Sequence, residues 1–246
     1  GKQFWFFQKR KAIKYAKKLG FPLVVKPNFS SLAKGVTTNI KTKAKLKKAI
    51  NEALIYSPLF LIEEYLSSVS DFRITIVNFK KIFCFQRVPA FVEGDGKNSI
   101  SKLIKKENSK KERGKKRTIN TPFYNIKITS DTKKVLKEQE LTLSSIPRKK
   151  RKVKIQNNPF LKIGGVPVDK TDQIHPDNIK LFKKIAKKIN LPLMGIDFLI
   201  NDISSSHKKQ QCGIIEINEL PGIAGHHYPY QGKDRNVSRA ILNNLQ

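Results

Sequence analysis

Two stretches near the C-terminal end decide the reading of this chain: "GIDFLI", residues 195–200, and "GIIEINELPG", residues 213–222. Each is an apolar strand pattern carrying carboxylates where only apolar residues are expected. Side chains at i and i+2 of a strand share a face. Glu216 and Asn218 therefore point the same way, with Ile214 on that row, and Ile215 and Ile217 turn toward the core. A short polar segment, "DISSSHKKQQ", separates the two stretches. Antiparallel pairing through it would bring Asp197 opposite Glu216. Two carboxylates and an amide oxygen on one sheet face make an oxygen-donor site for a hard cation such as Mg²⁺, which takes few protein ligands. The opposing reading is a polar, solvent-facing sheet. The apolar flanks and the Pro221-Gly222 that follows argue against it, because glycine lets the backbone approach a ligand.

Working outward, strand and helix patterns alternate along the chain. Residues 8–19 place Ala12, Ile13, Ala16 and Leu19 on one helical face, stopped by Gly20. "FPLVVKP" reads as a buried strand, "VTTNI" as a short one and "LFLIEEYL" as a third. "KTKAKLKKAINEAL" is an amphipathic helix, and "DFRITIVNFKKIFCFQRVPAF" is a hairpin turning near Asn78-Phe79. "HPDNIKLFKKIAKKIN" is a helix with Pro176 in its first turn and Ile179, Phe182, Ile185, Ala186 and Ile189 inward. A last helix is expected from about Asp234. Helices, strands and hairpins mixed in this way predict an α/β or α+β chain.

The chain has 246 residues, two cysteines and a formal net charge of +31. Such a charge attracts nucleic acid, anionic membrane or polyanionic metabolites. Lysine is spread over every helix, however, and charge runs of this kind are ordinarily solvated faces. The stretch "PRKKRKV", residues 147–153, has the composition of a nuclear localisation signal, but a basic strand edge is the favoured reading. Cys84 and Cys212 sit in apolar strands and are expected as free thiols in a reducing compartment. With no secretory signal pattern and no apolar run of membrane-spanning length, a cytoplasmic protein is expected.

The order of features is informative. Lys26 ends a strand and is followed by a small-residue loop, a pairing suited to phosphate oxygens. An acidic strand end, Glu63-Glu64-Tyr65, comes next, then Asp71, then Arg73 and Arg87 on the two arms of the hairpin. The Asp197, Glu216 and Asn218 set closes the series. In this order "FPLVVKP", "LIEEYLSSVSDFRITIVNFK", "GIDFLI" and "IIEINELPG" resemble the ATP-grasp superfamily. "RVPAFVEGDGKNSISKLI", "GGVPVDKTDQIHPDN" and "ELPGIAGHHYPYQGKDRNVSRAIL" resemble its branch containing cyanophycin synthetase and the ligase domain of bifunctional glutathione synthetase.

That resemblance implies an α+β fold of two lobes whose antiparallel sheets grip the nucleotide, a smaller lobe over 1–66 and a larger one over 67–246. It implies ATP and Mg²⁺ as cofactors and ligation of a carboxylate to an amine, through an acylphosphate, on an amino-acid or peptide substrate. Lys26, Ser31, Lys34 and Gly35 would hold phosphates. Glu63, Glu64 and Tyr65 would line the adenine pocket and Asp71 would hold the ribose. Asp197, Glu216 and Asn218 would bind magnesium, with Arg73 and Arg87 the catalytic residues on transferring oxygens. His226, Lys233 and Arg235 would lie on the substrate side. The chain departs from the branch where Leu32 and Ala33 interrupt a glycine-rich loop, and where Phe160 and Lys162 replace an Asn and a small hydroxyl residue. It also implies an earlier lobe, apparently absent here, that a longer chain, a partner or a homo-oligomer would supply. Two other classes stay open at this point: a non-catalytic nucleotide-binding module and, on charge alone, a nucleic-acid-binding protein. No membrane partner is expected.

Overall fold

The computed structural model describes residues 1–30 and 34–243. These form two compact units, residues 1–67 and 68–246.

The first unit runs β1 (Lys2–Trp5), α1 (Lys9–Leu19), β2 (Leu23–Pro27), β3 (Thr37–Ile40), α2 (Lys43–Leu54) and β4 (Leu59–Glu64). Its four strands form an antiparallel sheet in the order β1-β4-β2-β3. Strand alternation divides the sheet into two faces. Leu23, Val25, Phe60, Ile62 and Phe4 are buried on one, packed with Ala12 and Ala16 of α1 and Leu46, Ala49, Ile50 and Ala53 of α2. Val24, Lys26, Leu61 and Glu63 alternate onto the other. The Thr42 hydroxyl caps α2 by accepting from the Lys45 N–H. Strand β1 was not anticipated in the sequence, since only Phe4 of its four residues is buried and no alternation announces it.

The second unit continues with β5 (Ser70–Val77), β6 (Lys81–Val88), β7 (Phe91–Glu93), α3 (Ile100–Asn108), β8 (Arg113–Gly114), β9 (Phe123–Tyr124), α4 (Ser130–Lys137), β10 (Lys152–Lys154), β11 (Val166–Asp169), α5 (Pro176–Ile189), β12 (Leu193–Ile200), β13 (Cys212–Asn218), α6 (Ala224–His227) and α7 (Val237–Leu242). Five strands make its main sheet, antiparallel throughout, in the order β11-β6-β5-β12-β13. The hairpin turns at Asn78 and Phe79, both at positive φ. Phe72, Ile74, Ile76, Cys84, Met194, Ile196, Phe198 and Ile200 bury one sheet face beneath Phe182 and Ala186 of α5. A separate cluster, including Val92, Ile100, Leu103, Leu136 and Val153, holds together the part built from residues 90–155. The basic stretch 147–153 runs into β10, which pairs with β7, so it is a strand edge.

Three local expectations are corrected. Ile189 is 43% exposed rather than inward, because Asn190 turns left-handed (φ 60°) and ends α5 there. The last helix starts at Val237, three residues late: Arg235 is drawn to Asp169, and the Asn236 side chain caps the helix by accepting from the Arg239 N–H. The third correction concerns β13. Asp197 pairs with Glu216, but Phe198 pairs with Ile214, so Ile215 is an extra residue in a β-bulge. Ile214 therefore leaves the row of Glu216, and Ile215 is 40% exposed instead of in the core.

Phe182 and Phe198 meet edge to face, with centroids 5.1 Å apart, at the centre of this core. Phe182→Ala should cost about 3–5 kcal/mol of stability, and Ile189→Ala well under that. Chemical denaturation of the two variants checks the contrast.

Candidate functional site

The second face of the main sheet carries polar groups where the first carries core. On β5 it holds Asp71, Arg73 and Thr75, on β6 Arg87, on β12 Gly195 and Asp197, and on β13 Glu216 and Asn218. Cross-strand register aligns them: Asp71 with Arg87, Arg73 with Asp197, Asp197 with Glu216, and Gly195 with Asn218.

The Asp197 carboxylate is the hub. Its Oδ1 lies 2.8 Å from Arg73 Nε and accepts a 2.9 Å hydrogen bond from Arg87 Nη2. Arg87 Nη1 also donates to Asp71 Oδ1 at 2.7 Å. Burial alone would lower the pKa of Arg87; Asp71 and Asp197 outweigh it and hold the guanidinium more basic than usual. Burial raises Asp71 above the ordinary carboxylate range, against the pull of Arg87. Desolvation lowers Arg73, opposed by Asp197 and Glu216. Gly195 makes room for this arrangement: a Cβ there would stand 2.6 Å from Arg73 Nη1 and 2.7 Å from Pro221. Sequence reasoning missed Gly195, although a glycine inside an apolar strand is itself a sign of close approach.

The donor set suits a hard cation. Asp197 keeps Oδ2, Glu216 is exposed with no hydrogen bond or ion pair among the described residues, and the Asn218 Nδ2 is buried without a partner. The described residues contain no group of three or more His, Cys, Asp or Glu placed to hold a metal. A cation here would thus take at most two carboxylates and one amide oxygen, leaving the rest of its shell to water and phosphate.

Beyond this hub, the segment after β13 folds back onto the sheet. His226 is buried, its Nε2 2.8 Å from the Thr75 hydroxyl and its ring against Phe85. It therefore reaches a strand residue rather than the surface. Arg235 grips Asp169, with Nη2 at 2.8 Å from Oδ2, and also lies 2.8 Å from Asp172. Lys233 pairs with Asp172 at 2.9 Å. Asp169 was not singled out in the sequence; the alternation of "VPVD" places it opposite Phe85 on the same face as Arg87.

In the first unit, Lys26 Nζ lies 2.8 Å from Glu63 Oε2. Glu64 ends β4 exposed, and the Tyr65 N–H is taken by the Pro22 carbonyl at 3.0 Å. Lys34 and Gly35 form a turn, Gly35 at φ 71°. Ser31, Leu32 and Ala33 lie outside the described residues.

His226 supplies a pH test. Burial, with Arg73 adding to it, lowers its pKa from 6.5 to about 3. A histidine kept neutral in the fold contributes stability that is complete above pH 6.5 and is lost as pH falls from there toward about 3. Between pH 7 and pH 4 the melting temperature of the wild type should fall more steeply than that of His226→Gln. Parallel curves would contradict the buried neutral ring.

Residues 2–108 match the family model described as D-ala D-ala ligase C-terminus. Cyanophycin synthetase of Synechocystis sp. is 33% identical over 228 residues, which are 92% of this chain and 26% of that protein. The glutathione biosynthesis bifunctional protein GshAB of Clostridium perfringens is 30% identical over 225 residues, 91% of this chain and 28% of that protein. The chain thus spans about a quarter of the length of the curated relatives it matches. The crystal structure of a bifunctional glutathione synthetase from Pasteurella multocida superposes with a TM-score of 0.71 at 27% identity, covering 99% of this chain and 33% of that one. In fold and in sequence the chain is similar to cyanophycin synthetase and to bifunctional glutathione synthetase, and its fold is that of the ATP-grasp ligases.

Proposed function

We propose that the chain carries out ATP- and Mg²⁺-dependent ligation of a carboxylate to an amine on an amino-acid or peptide substrate, in the manner of cyanophycin synthetase. The observation that carries this reading is the Asp197 hub, with Glu216 opposite it and two guanidiniums on one oxygen, in a chain whose relatives are synthetases. In the reaction a substrate carboxylate attacks the γ-phosphorus, forming an acylphosphate and releasing ADP. An amine then attacks the acyl carbon, and phosphate departs as the amide forms. Bound magnesium supplies charge neutralisation for the phosphates.

The work left to the side chains is positioning and electrostatics. Asp197, Glu216 and Asn218 would hold the cation. Arg73 and Arg87 are fixed against Asp197, so they present their remaining N–H groups to phosphate or acylphosphate oxygens from a set orientation. Lys26 would exchange Glu63 for the α/β phosphates, which Lys34 and Gly35 would also contact. Tyr65 already donates its N–H to Pro22, which leaves its carbonyl and the neighbouring Glu63 and Glu64 for the adenine. Asp71 would take the ribose through the oxygen that Arg87 does not use. Lys233 and Arg235, braced by Asp172 and Asp169, would border the substrate, and His226 would keep that segment seated on Thr75.

Incubation with Mg²⁺-ATP and pools of amino acids and dipeptides tests the proposal. Phosphate release should depend on the pool, and added hydroxylamine should trap the acyl group as a hydroxamate. A chain that binds nucleotide yet gives neither product contradicts ligation.

A further inference from the structure

Charge is unevenly divided along the chain. Residues 1–51 hold fourteen lysines and arginines and not one aspartate or glutamate. The lysine-rich helices of the second unit each include a carboxylate: Glu107 in α3, Asp131 in α4 and Asp177 in α5. Helix α1 includes none. It turns Ala12 and Ala16 into the core, and helical spacing then sets Arg10, Lys14 and Lys18 in one outward row, flanked by Lys11 and Lys17. All five are exposed and make no ion pair among the described residues. Helix α2 packs into the same core and adds exposed Lys45, Lys47 and Lys48, the last 4.0 Å from Glu52.

Apolar side chains gather where these two helices meet. The Lys9 ammonium donates to Asn51 Oδ1 at 2.9 Å and the Phe6 N–H to the Pro58 carbonyl at 2.9 Å, so the start of α1 lies against the end of α2. Trp5, Phe6 and Phe7 come just before α1, and Ile55 and Tyr56 just after α2. All five are exposed, Phe7 to 68% and Ile55 to 76%. Phe6, Lys9, Ile55 and Tyr56 line an open cleft of about 470 Å³. Apolar surface left in water is unfavourable, and clustered patches of it mark contact sites.

Two kinds of polyanion combine with cations and aromatic rings: single-stranded nucleic acid and anionic membrane. Base stacking needs free ring faces set along a channel. Here Trp5 and Phe7 lie nearly parallel to each other, their planes 12° apart, Phe6 meets Phe7 edge-on, and Ile55 offers no ring. A bilayer accepts such a cluster whole. Tryptophan settles at headgroup level, phenyl and aliphatic groups reach the acyl boundary, and lysines meet anionic headgroups. We propose that the first unit docks on an anionic lipid surface, with Trp5, Phe6, Phe7 and Ile55 inserted among the headgroups and the lysines of α1 and α2 supplying the attraction. Among the described residues no helix is long and apolar enough to cross a membrane, the same property that led to no membrane partner being expected. Contact at the surface needs no such helix, and it is independent of the ligase reading.

Trp5 is the chain's single tryptophan, so its emission reports on the patch directly. The full chain is titrated with vesicles of phosphatidylcholine alone, with vesicles of phosphatidylcholine and phosphatidylserine in equal parts, and with a single-stranded oligonucleotide. Vesicle flotation and Trp5 fluorescence are the readouts. The mixed vesicles should float the chain and move Trp5 emission to shorter wavelength, and the neutral vesicles should do neither. Phe7→Ser, Ile55→Ser, and the combined Arg10→Gln, Lys14→Gln and Lys18→Gln should each weaken that binding by about tenfold or more. Lys180→Gln, Lys184→Gln and Lys187→Gln together remove equal charge from exposed positions of α5 and should weaken it far less. The substituted side chains face water, so melting temperatures should match the wild type. Equal losses in the α1 and α5 variants, flotation with unchanged Trp5 emission, no flotation with the mixed vesicles, or tighter binding of the oligonucleotide than of the vesicles through the same residues would each overturn the proposal.

Discussion

One carboxylate oxygen, Oδ1 of Asp197, is shared by two guanidiniums, and the polar face of the main sheet is organised around it. Asp197 comes from β12, Arg73 from β5 and Arg87 from β6, so the interaction ties three strands side by side. Removing either kind of charge would leave the other buried, which costs more than an ordinary surface ion pair is worth. The hub is therefore a constraint on the strands as much as a feature of chemistry. It requires the pairing of Asp197 with Arg73, and it requires Gly195 next to it, where any side chain would meet the guanidinium.

The same strands serve two purposes because their side chains alternate. Phe72, Ile74, Ile196 and Phe198 enclose the core beneath α5, and Asp71, Arg73 and Asp197 occupy the intervening positions. A core that closes from one side fixes the backbone on which the polar face is laid out. Rigid strands hold catalytic groups more accurately than loops do, and electrostatic catalysis depends on such prior orientation. The bulge at Ile215 adds a local adjustment. By inserting one residue it sets Glu216 opposite Asp197 while Phe198 still meets Ile214. The segment after β13 is then fastened to this sheet by contacts that include His226 on Thr75 and Arg235 on Asp169.

Much of this was legible in the sequence where a short period expresses it. Alternation placed Glu216 with Asn218, and apolar flanks marked Asp197 as a carboxylate in a strand. Helical spacing found α1, α2 and α5 with their inward faces, apart from Ile189. Contacts with no local signature were not legible. Arg87 reaches Asp197 across 110 residues of sequence and Arg235 reaches Asp169 across 66, and neither spacing marks its partner. The bulge escaped because strict alternation was assumed through Ile214, Ile215 and Glu216. The pairing of Lys26 with Glu63 joins two strands whose neighbours in sequence say only that one ends in a cation and the other in acid. Phosphate contacts expected of Ser31 fall outside the described residues.

The central claim is that the polar face around Asp197 holds a magnesium-nucleotide, and Glu216 tests it most cleanly. Its side chain is exposed and unbonded among the described residues, so Glu216→Gln removes the charge proposed to bind the metal without disturbing the fold. Calorimetric titration of Mg²⁺-ATP into the wild type and this variant should show binding that weakens by about tenfold or more in the variant, with melting temperatures unchanged. Equal affinities in the two, or no binding by a folded wild type, would contradict the account.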